Sequence, residues 1–122
     1  MDYASKRCVP CHEGTPRLTP GEVRAALSSL DGWEAREDFT QLHRHHRFKD
    51  FLAAMRFVNA LAAVAEAEGH HPDFTVRSWN LVDVTLWTHS IGGLSENDLI
   101  LAAKLDALPE SPGRSARPAP TG

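Results

Sequence analysis

The sequence predicts an α+β domain of element order αββαββα, in which helices pack on one face of an antiparallel four-stranded sheet. Two observations predict this class. Two pairs of strand-like segments are each joined by a short turn, which is typical of β-hairpins. Segments with helical periodicity precede, separate and follow these pairs, and hairpins separated by helices favour an antiparallel sheet covered on one face.

Length and composition bound the class of protein. The chain has 122 residues, of which 24% are charged, as in an ordinary soluble domain. The net charge of −3 gives no electrostatic footprint for nucleic acid. The longest apolar run, residues 57–65, is interrupted by Asn59 and is too short to span a membrane. No secretory signal is visible, so we expect a cytoplasmic protein without membrane association.

The chain divides into three regions by composition. Residues 1–17 carry charge, proline and glycine without an apolar period, and we predict a flexible N-terminal arm. Residues 18–108 contain every periodic segment and form the predicted domain. Residues 109–122 contain four prolines and no large apolar residue, so we predict a disordered tail.

The first helix has a clear beginning and end. Thr19 can cap it together with Glu22, and Pro20 suits the first turn. Asp31-Gly32 ends it. Its apolar stripe consists of Val23, Ala26, Leu27 and Leu30.

The first hairpin is predicted over residues 33–37 and 39–48, with a turn at Glu37-Asp38. Its second strand is rich in histidine and arginine. Because alternation puts the histidines on both faces, we expect no convergence on a ligand and interpret the strand as solvated or at a sheet edge. These residues are His43, Arg44, His45, His46 and Arg47.

The long second helix, from about Asp50 to Glu68, carries two apolar stripes and ends at Gly69. A helix that covers one sheet face needs a single stripe. The second stripe therefore indicates either a deeply buried helix or a contact with another subunit. One stripe is Phe51, Met55, Val58, Ala62 and Ala65, and the other is Ala54, Phe57, Leu61 and Val64.

The second hairpin is predicted over residues 74–79 and 81–88. A turn at Gly92-Gly93 leads to the last helix, which extends to Leu108. Ser95 is its predicted cap, and Asp98 occupies the capping-box position.

His70-His71-Pro72, with Thr88-His89 further along, is the strongest functional signal. Imidazole is the side chain whose ordinary pKa lies near neutrality, so it can donate or accept a proton at pH 7. Pro72 favours an extended backbone at His71. A hairpin can bring His89 back to this pair, which would form an acid/base cluster.

The ordered set of motifs resembles the pterin-4a-carbinolamine dehydratases. The resemblance runs from about Leu18 to Asp106 and includes Gly32-Trp33. It depends on the combination of motifs rather than on any one of them. The motifs are Glu66-x-x-x-His70-His71-Pro72, Trp79-Asn80, Thr88-His89 and Gly92-Gly93-Leu94-Ser95-Glu96-x-Asp98.

The resemblance implies dehydration of a 4a-hydroxy tetrahydropterin to a quinonoid dihydropterin and water, with no metal or organic cofactor. It implies tetrahydrobiopterin recycling through histidine acid/base catalysis. The alternative is a non-catalytic binding or assembly module on the same fold. The implied catalytic residues are His70, His71 and His89, and the implied substrate-binding or orienting residues are Glu66, Pro72, Trp79 and Asp98.

Two points in the motif set leave alternatives open. Six residues separate Pro72 from Trp79 where the family commonly has five, so we expect a β-bulge near Arg77-Ser78. That insertion leaves the role of Trp79 open. Asp98 could act in the site or serve only as a helix cap.

The arm contains Cys8-x-x-Cys11-His12, which offers three possible zinc ligands. Structural zinc takes four ligands, and no second pair has the matching spacing. No βαβ pattern follows the cysteines, which disfavours a redox role. We therefore predict a non-catalytic arm and no metal site.

We expect a homo-oligomer, with a tetramer preferred over a dimer. The two stripes of the second helix indicate an interface, and the family resemblance points the same way. Leu61 is taken as a residue of the outward stripe.

Overall fold

The computed structural model describes residues 2–10 and 14–112. It confirms the predicted class, because its helices accompany an antiparallel four-stranded sheet with the strand order β1-β2-β4-β3. Short 3-10 turns lie at Tyr3–Ser5 and His89–Ile91. The main elements are α1 (Pro20–Leu27), β1 (Glu34–Arg36), β2 (Gln41–Arg47), α2 (Phe51–Glu68), β3 (Asp73–Arg77), β4 (Leu81–Leu86) and α3 (Glu96–Asp106).

The helix starts follow the predicted capping chemistry. The Glu22 amide donates to Thr19 Oγ1 at 3.1 Å, and Glu22 Oε1 accepts from the Thr19 amide at 2.8 Å. At α2, the Ala53 amide donates to Asp50 Oδ1 at 2.8 Å. Each cap satisfies backbone donors that the helix itself cannot pair.

The core lies between the helices and the inner face of the two central strands. Leu42 of β2 and Val84 of β4 are fully buried, and so is Phe57 of α2. Burial of each such side chain stabilises the fold by about 1.5–3 kcal/mol. This packing fixes the end of α2 beside the end of β4, where the predicted site residues lie.

The expectation of a solvated or edge strand at residues 39–48 is wrong. β2 lies inside the sheet, between β1 and β4. Arg44 and His46 point into the helix-covered face and are buried. Arg44 tolerates burial because its Nη1 contacts Asp106 at 2.5 Å, and this carboxylate also accepts from Trp33 Nε1. Asp106 lies 62 residues away, so local sequence gave no sign of the compensation.

The predicted β-bulge near Arg77-Ser78 is also wrong. β3 pairs with β4 in unbroken register, from Asp73 opposite Thr85 to Arg77 opposite Leu81. The extra length is taken up in the turn, where Ser78 and Trp79 have φ of 48° and 57°. Residues with a left-handed backbone conformation fit in a turn but not in a paired strand.

The two stripes of α2 differ in burial. Leu61 is 1% exposed and faces the core, so its assignment to the outward stripe is wrong. Phe51, at the helix start, is 51% exposed, and Ala62 is also exposed. Phe51 and Ala62 lie on the outward face, whereas Met55 is half-buried and packs against the core.

The described part of the N-terminal arm lies against α3 rather than standing free. Lys104 Nζ donates to the Ala4 carbonyl at 2.8 Å. Asn97 holds Val9 twice, accepting from its amide at 3.0 Å and donating to its carbonyl at 2.6 Å. Polar contacts to the backbone require no apolar period in the sequence. The absence of such a period is the reason why we predicted a flexible arm.

The predicted disordered tail lies largely outside the described residues, which end at Pro112. Among the helices that the structure describes, none combines the length and apolar character needed to cross a membrane.

Candidate active site

The end of α2 places two imidazoles at one edge of the sheet. Gly69 takes the left-handed conformation, with φ of 67°, and its amide donates to the Glu66 carbonyl at 3.3 Å. A side chain strains this backbone, so glycine suits the position. The chain then turns through His70 and His71 into β3, which begins directly after Pro72.

His70 is joined to a buried carboxylate. Its Nε2 lies 2.6 Å from Asp98 Oδ1, and the Asp98 side chain is fully buried. Asp98 Oδ2 accepts from Thr88 Oγ1 at 2.8 Å and from the Ser95 amide at 3.0 Å. Asp98 therefore caps α3 and contacts His70 at once, so the two roles considered from the sequence are compatible.

His71 has a carboxylate partner of a different kind. Its Nε2 lies 3.0 Å from Glu66 Oε1, and the two side chains are 62% and 83% exposed. We expected Glu66 to orient an imidazole from the helix end. The structure brings it to His71, because the turn at Gly69 directs His70 inward to Asp98.

His89 reaches the same place from the end of β4. The chain leaves the strand at Leu86, and Thr88 bridges to Gly93. His89 stacks on Trp87, with ring centroids 4.3 Å apart and planes 4° from parallel. An imidazole stacked against a flat aromatic ring has few orientations available. Trp87 therefore restricts the orientation of the His89 ring.

The three predicted catalytic histidines line one cavity of about 290 Å³. That volume suits a small bicyclic ligand and lies near the lower end for ligand pockets, which run from about 300 Å³ upward. The wall combines aromatic, imidazole and hydroxyl groups. The other lining residues are Val9, Gly69, Trp87, Thr88, Ser90 and Asn97.

Pro72 and Trp79 are not among the residues that line this cavity. Pro72 follows His71 directly and restricts its backbone. Trp79 lies in the turn at the opposite end of β3 and is 60% exposed. Five strand residues separate the two ends, about 16 Å at the usual rise of a strand. Within one chain, Trp79 does not join the cavity.

The sequence reasoning missed Val9, Ser90 and Asn97 among the lining residues. Val9 belongs to the arm, and Asn97 occupies the unspecified position between Glu96 and Asp98. Asn97 is buried and fastens Val9 beside the histidines through two hydrogen bonds. No local pattern signals this contact, since the two residues are 88 positions apart.

Cys8 lies near the cavity, but its thiol is not activated as a nucleophile. Burial, reinforced by the Glu68 carboxylate, raises the pKa of its thiol to about 12. A protonated thiol is a poor nucleophile and a poor metal ligand. Cys11 and His12, the other members of the arm motif, lie outside the described residues.

The arrangement is suited to moving protons on a bound organic ring. An ionised carboxylate only accepts hydrogen bonds, so Asp98 selects the form of His70 that carries its proton on Nε2. The Nδ1 atom is then the one able to accept a proton. His71 and His89, both exposed, can exchange protons with ligand and solvent.

Most of the chain matches a known protein family. Residues 16–108 match the family described as Pterin 4 alpha carbinolamine dehydratase. A relative from Arabidopsis thaliana, Pterin-4-alpha-carbinolamine dehydratase 2, mitochondrial, is 43% identical over 110 residues, which are 88% of this chain and 59% of that protein. A relative from Alkaliphilus metalliredigens, named for the same activity, is 44% identical over 86% of this chain and 94% of its own length.

Solved structures show the same likeness. The transcriptional coactivator/pterin dehydratase from Brucella melitensis is 41% identical with a TM-score of 0.71, covering 75% of this chain and 97% of that one. A pterin dehydratase-like protein, identified as a RuBisCO assembly factor in the alpha-carboxysome, is 27% identical with a TM-score of 0.54. It covers 62% of this chain and 87% of its own.

Proposed function

The chain belongs to the pterin 4 alpha carbinolamine dehydratase family, and we propose that it dehydrates a 4a-hydroxy tetrahydropterin to a quinonoid dihydropterin and water. The observation that carries the proposal is the meeting of three imidazoles at one cavity of about 290 Å³. We further propose that the reaction takes place in the cytoplasm and serves tetrahydrobiopterin recycling.

The reaction needs one proton delivered and one removed. The bond between C4a and the hydroxyl oxygen breaks, and protonation of that oxygen lets it leave as water. A ring nitrogen loses its proton while the C=N bond forms, so atoms and charge balance. Positioned imidazoles suit both transfers near pH 7, and each such transfer contributes about 10²–10⁴-fold to the rate.

The contacts divide the three histidines by role. His70, held by buried Asp98 at 2.6 Å, is the proposed acceptor of the ring proton, because its orientation and proton position are fixed. His71 and His89 are proposed to hold the pterin and to exchange the proton of the leaving hydroxyl. Trp87 supports this arrangement by stacking on His89 at 4.3 Å.

The test is a rate measurement on 4a-hydroxy tetrahydropterin, followed by the ultraviolet absorbance of the quinonoid product. We expect His70→Ala to lower kcat about 10²–10⁴-fold relative to the unmodified chain. Thr75→Ala, an exposed change on β3 away from the cavity, is the matched control and should keep full activity. Unchanged rates in His70→Ala would remove the proposed acid/base role.

A binding or assembly module on the same fold is the alternative, since one structural relative is named as an assembly factor. A scaffold has no need for three imidazoles around a cavity, and this favours catalysis. The same assay separates the two functions. An unmodified chain that gives no acceleration over the spontaneous reaction would support the module.

We also propose that the chain forms a homo-oligomer through the outward face of α2, with a tetramer preferred. Phe51 and Leu52 are 51% and 66% exposed there, and the exposed Ala62 extends the apolar surface. Contiguous apolar surface of this kind marks interfaces. Because Leu61 faces the core, it is not the residue with which to test the contact.

Ala62→Glu should reduce the molar mass measured by light scattering, because it puts a charge into the proposed interface. Ala25→Glu, also an exposed helix position but on α1, is the matched control and should leave the mass unchanged. A monomer in the unmodified protein at micromolar concentration would refute the oligomer and leave the catalytic proposal in place.

A further inference from the structure

The outer face of the sheet carries a second group of potential ligands, formed by His43, His45 and Asp83. Each residue offers one ligand atom, and these atoms lie within 4.8 Å of one another. We infer that they form a binding site for a divalent transition-metal ion of the zinc class. This site lies apart from the cavity histidines and is independent of the proposed dehydration.

Strand geometry brings the three residues together. His43 and His45 are two residues apart on β2, so their side chains share the face opposite the helices. Antiparallel pairing places Asp83 of β4 directly opposite His45. The expectation that the β2 histidines do not converge is therefore wrong for these two, and only His46 points to the other face.

The donor set matches the chemistry of zinc and its neighbours. Two imidazole nitrogens and one carboxylate oxygen are ligands that Zn²⁺, Co²⁺ and Ni²⁺ accept. β2 and β4 are the two central strands, so the ligands stand on a rigid support. His45 is half-exposed, which leaves the remaining coordination positions open to water.

His43 gives an independent sign of a missing partner. It is 9% exposed, its Nδ1 lies 2.8 Å from Thr85 Oγ1, and its buried Nε2 has no hydrogen-bond partner among the described residues. Leaving a buried polar nitrogen unpaired is costly. Coordination by Nε2 would satisfy it, while Thr85 would hold the other nitrogen as outer partners of metal-bound histidines commonly do.

Two arginines lie beside this group, and a bound ion would share the Asp83 carboxylate with one of them. Arg77 Nε donates to Asp83 Oδ2 at 2.6 Å, and Arg36 Nε pairs with Glu34 at 2.5 Å. Asp83 Oδ1 faces His45 Nδ1 at 2.5 Å. A metal ion would lie between that pair, and the imidazole would carry its single hydrogen on Nε2. Because a protonated imidazole cannot bind a metal ion, binding should weaken as the pH falls.

The test is titration of the full chain with Co²⁺ and Zn²⁺ after chelator treatment, using calorimetry and visible cobalt absorption. The experiment uses a Cys8→Ser, Cys11→Ser background, so that no bound ion can be ascribed to the thiols of the arm. We expect about one equivalent of bound ion. His45→Ala and Asp83→Asn should each weaken binding at least tenfold.

Two control variants test where on the protein the metal ion binds. Asp73→Asn removes an exposed carboxylate from the neighbouring strand β3, and His71→Ala removes a cavity imidazole; both should keep the affinity. Circular dichroism confirms that each variant folds. The inference is overturned if no stoichiometric ion binds, or if binding depends on His71 and not on His45.

Discussion

The histidines at the cavity and the buried histidine of β2 are the same side chain in opposite surroundings. His70 lies 2.6 Å from the carboxylate of Asp98. His46 lies among aromatic rings, 4.7 Å from the centroid of Phe57, and its Nδ1 contacts the Val82 carbonyl at 3.1 Å. One imidazole is placed beside a group that can share its proton, and the other is placed where a charge is excluded.

The difference shows that the neighbours of a histidine decide what it can do. Burial, assisted by the nearby Arg44 guanidinium, lowers the pKa of His46 to about 3, so it stays neutral and packs as an aromatic ring. A carboxylate partner instead fixes the proton-bearing nitrogen of His70. Proton chemistry is therefore expected at the cavity, and acid sensitivity of the fold at His46.

Among changes to the partners of the histidines, Asp98→Asn should give the largest effect, because an amide cannot hold His70 as a carboxylate does. We expect kcat to fall about 10–100-fold, the usual range for loss of an orienting partner. The pH dependence of kcat should shift as well, since the charge beside the imidazole is gone. Steady-state kinetics across pH measures both.

Ser95→Ala is the matched control for that experiment. It removes the hydroxyl that contacts Thr88 at 2.7 Å but keeps the contact between Asp98 and His70. It should cost about 1 kcal/mol of stability, as a weakened helix cap does, with kcat and its pH profile unchanged. Equal kinetic losses in the two variants would reduce Asp98 to a structural cap.

His46→Leu should remove an acid sensitivity of the fold. The unfolded chain binds a proton at His46 near pH 6.5, whereas the folded chain binds one only near pH 3. Stability is therefore lost as the pH falls from 6.5 towards 3. At pH 4.5 the loss is roughly 2–3 kcal/mol, from about 1.4 kcal/mol per pH unit of difference.

Urea unfolding at pH 7 and at pH 4.5 measures this effect. The drop in stability between the two pH values should be smaller in His46→Leu by that amount. His71→Ala, which removes an exposed imidazole, should show the same drop as the unmodified chain. Identical drops in all three proteins would mean that His46 accepts a proton without unfolding.

The element order and the motif histidines were predictable because both depend on local sequence. The sequence signals of a hairpin turn or of an apolar helix stripe lie within about ten consecutive residues. His70 and His71 are adjacent, and Thr88-His89 marks the end of its own strand. Local capping chemistry likewise predicted the starts of α1 and α3.

The surroundings of the side chains on β2 were not predictable, because they depend on residues that are distant in the sequence. The register between β2 and β4 sets Asp83 beside His45, and those residues are 38 positions apart. Burial of Arg44 depends on Asp106, which follows it by 62 positions. Without these partners the β2 sequence has the composition of a solvated strand.

Glu66→Gln should give the smallest effect, although it also removes a carboxylate from a cavity histidine. Glu66 and His71 are both exposed, and exposed ion pairs contribute about 0.2–1 kcal/mol. The rate should therefore change less than about fivefold. Because water and salt screen this pair, the difference from the unmodified chain should vanish at about 1 M salt. The loss in Asp98→Asn should persist in the same buffer, since Asp98 is fully buried. A large, salt-resistant loss in Glu66→Gln would show that substrate binding buries the His71–Glu66 pair, and the contrast between the two carboxylates would then disappear in the working enzyme.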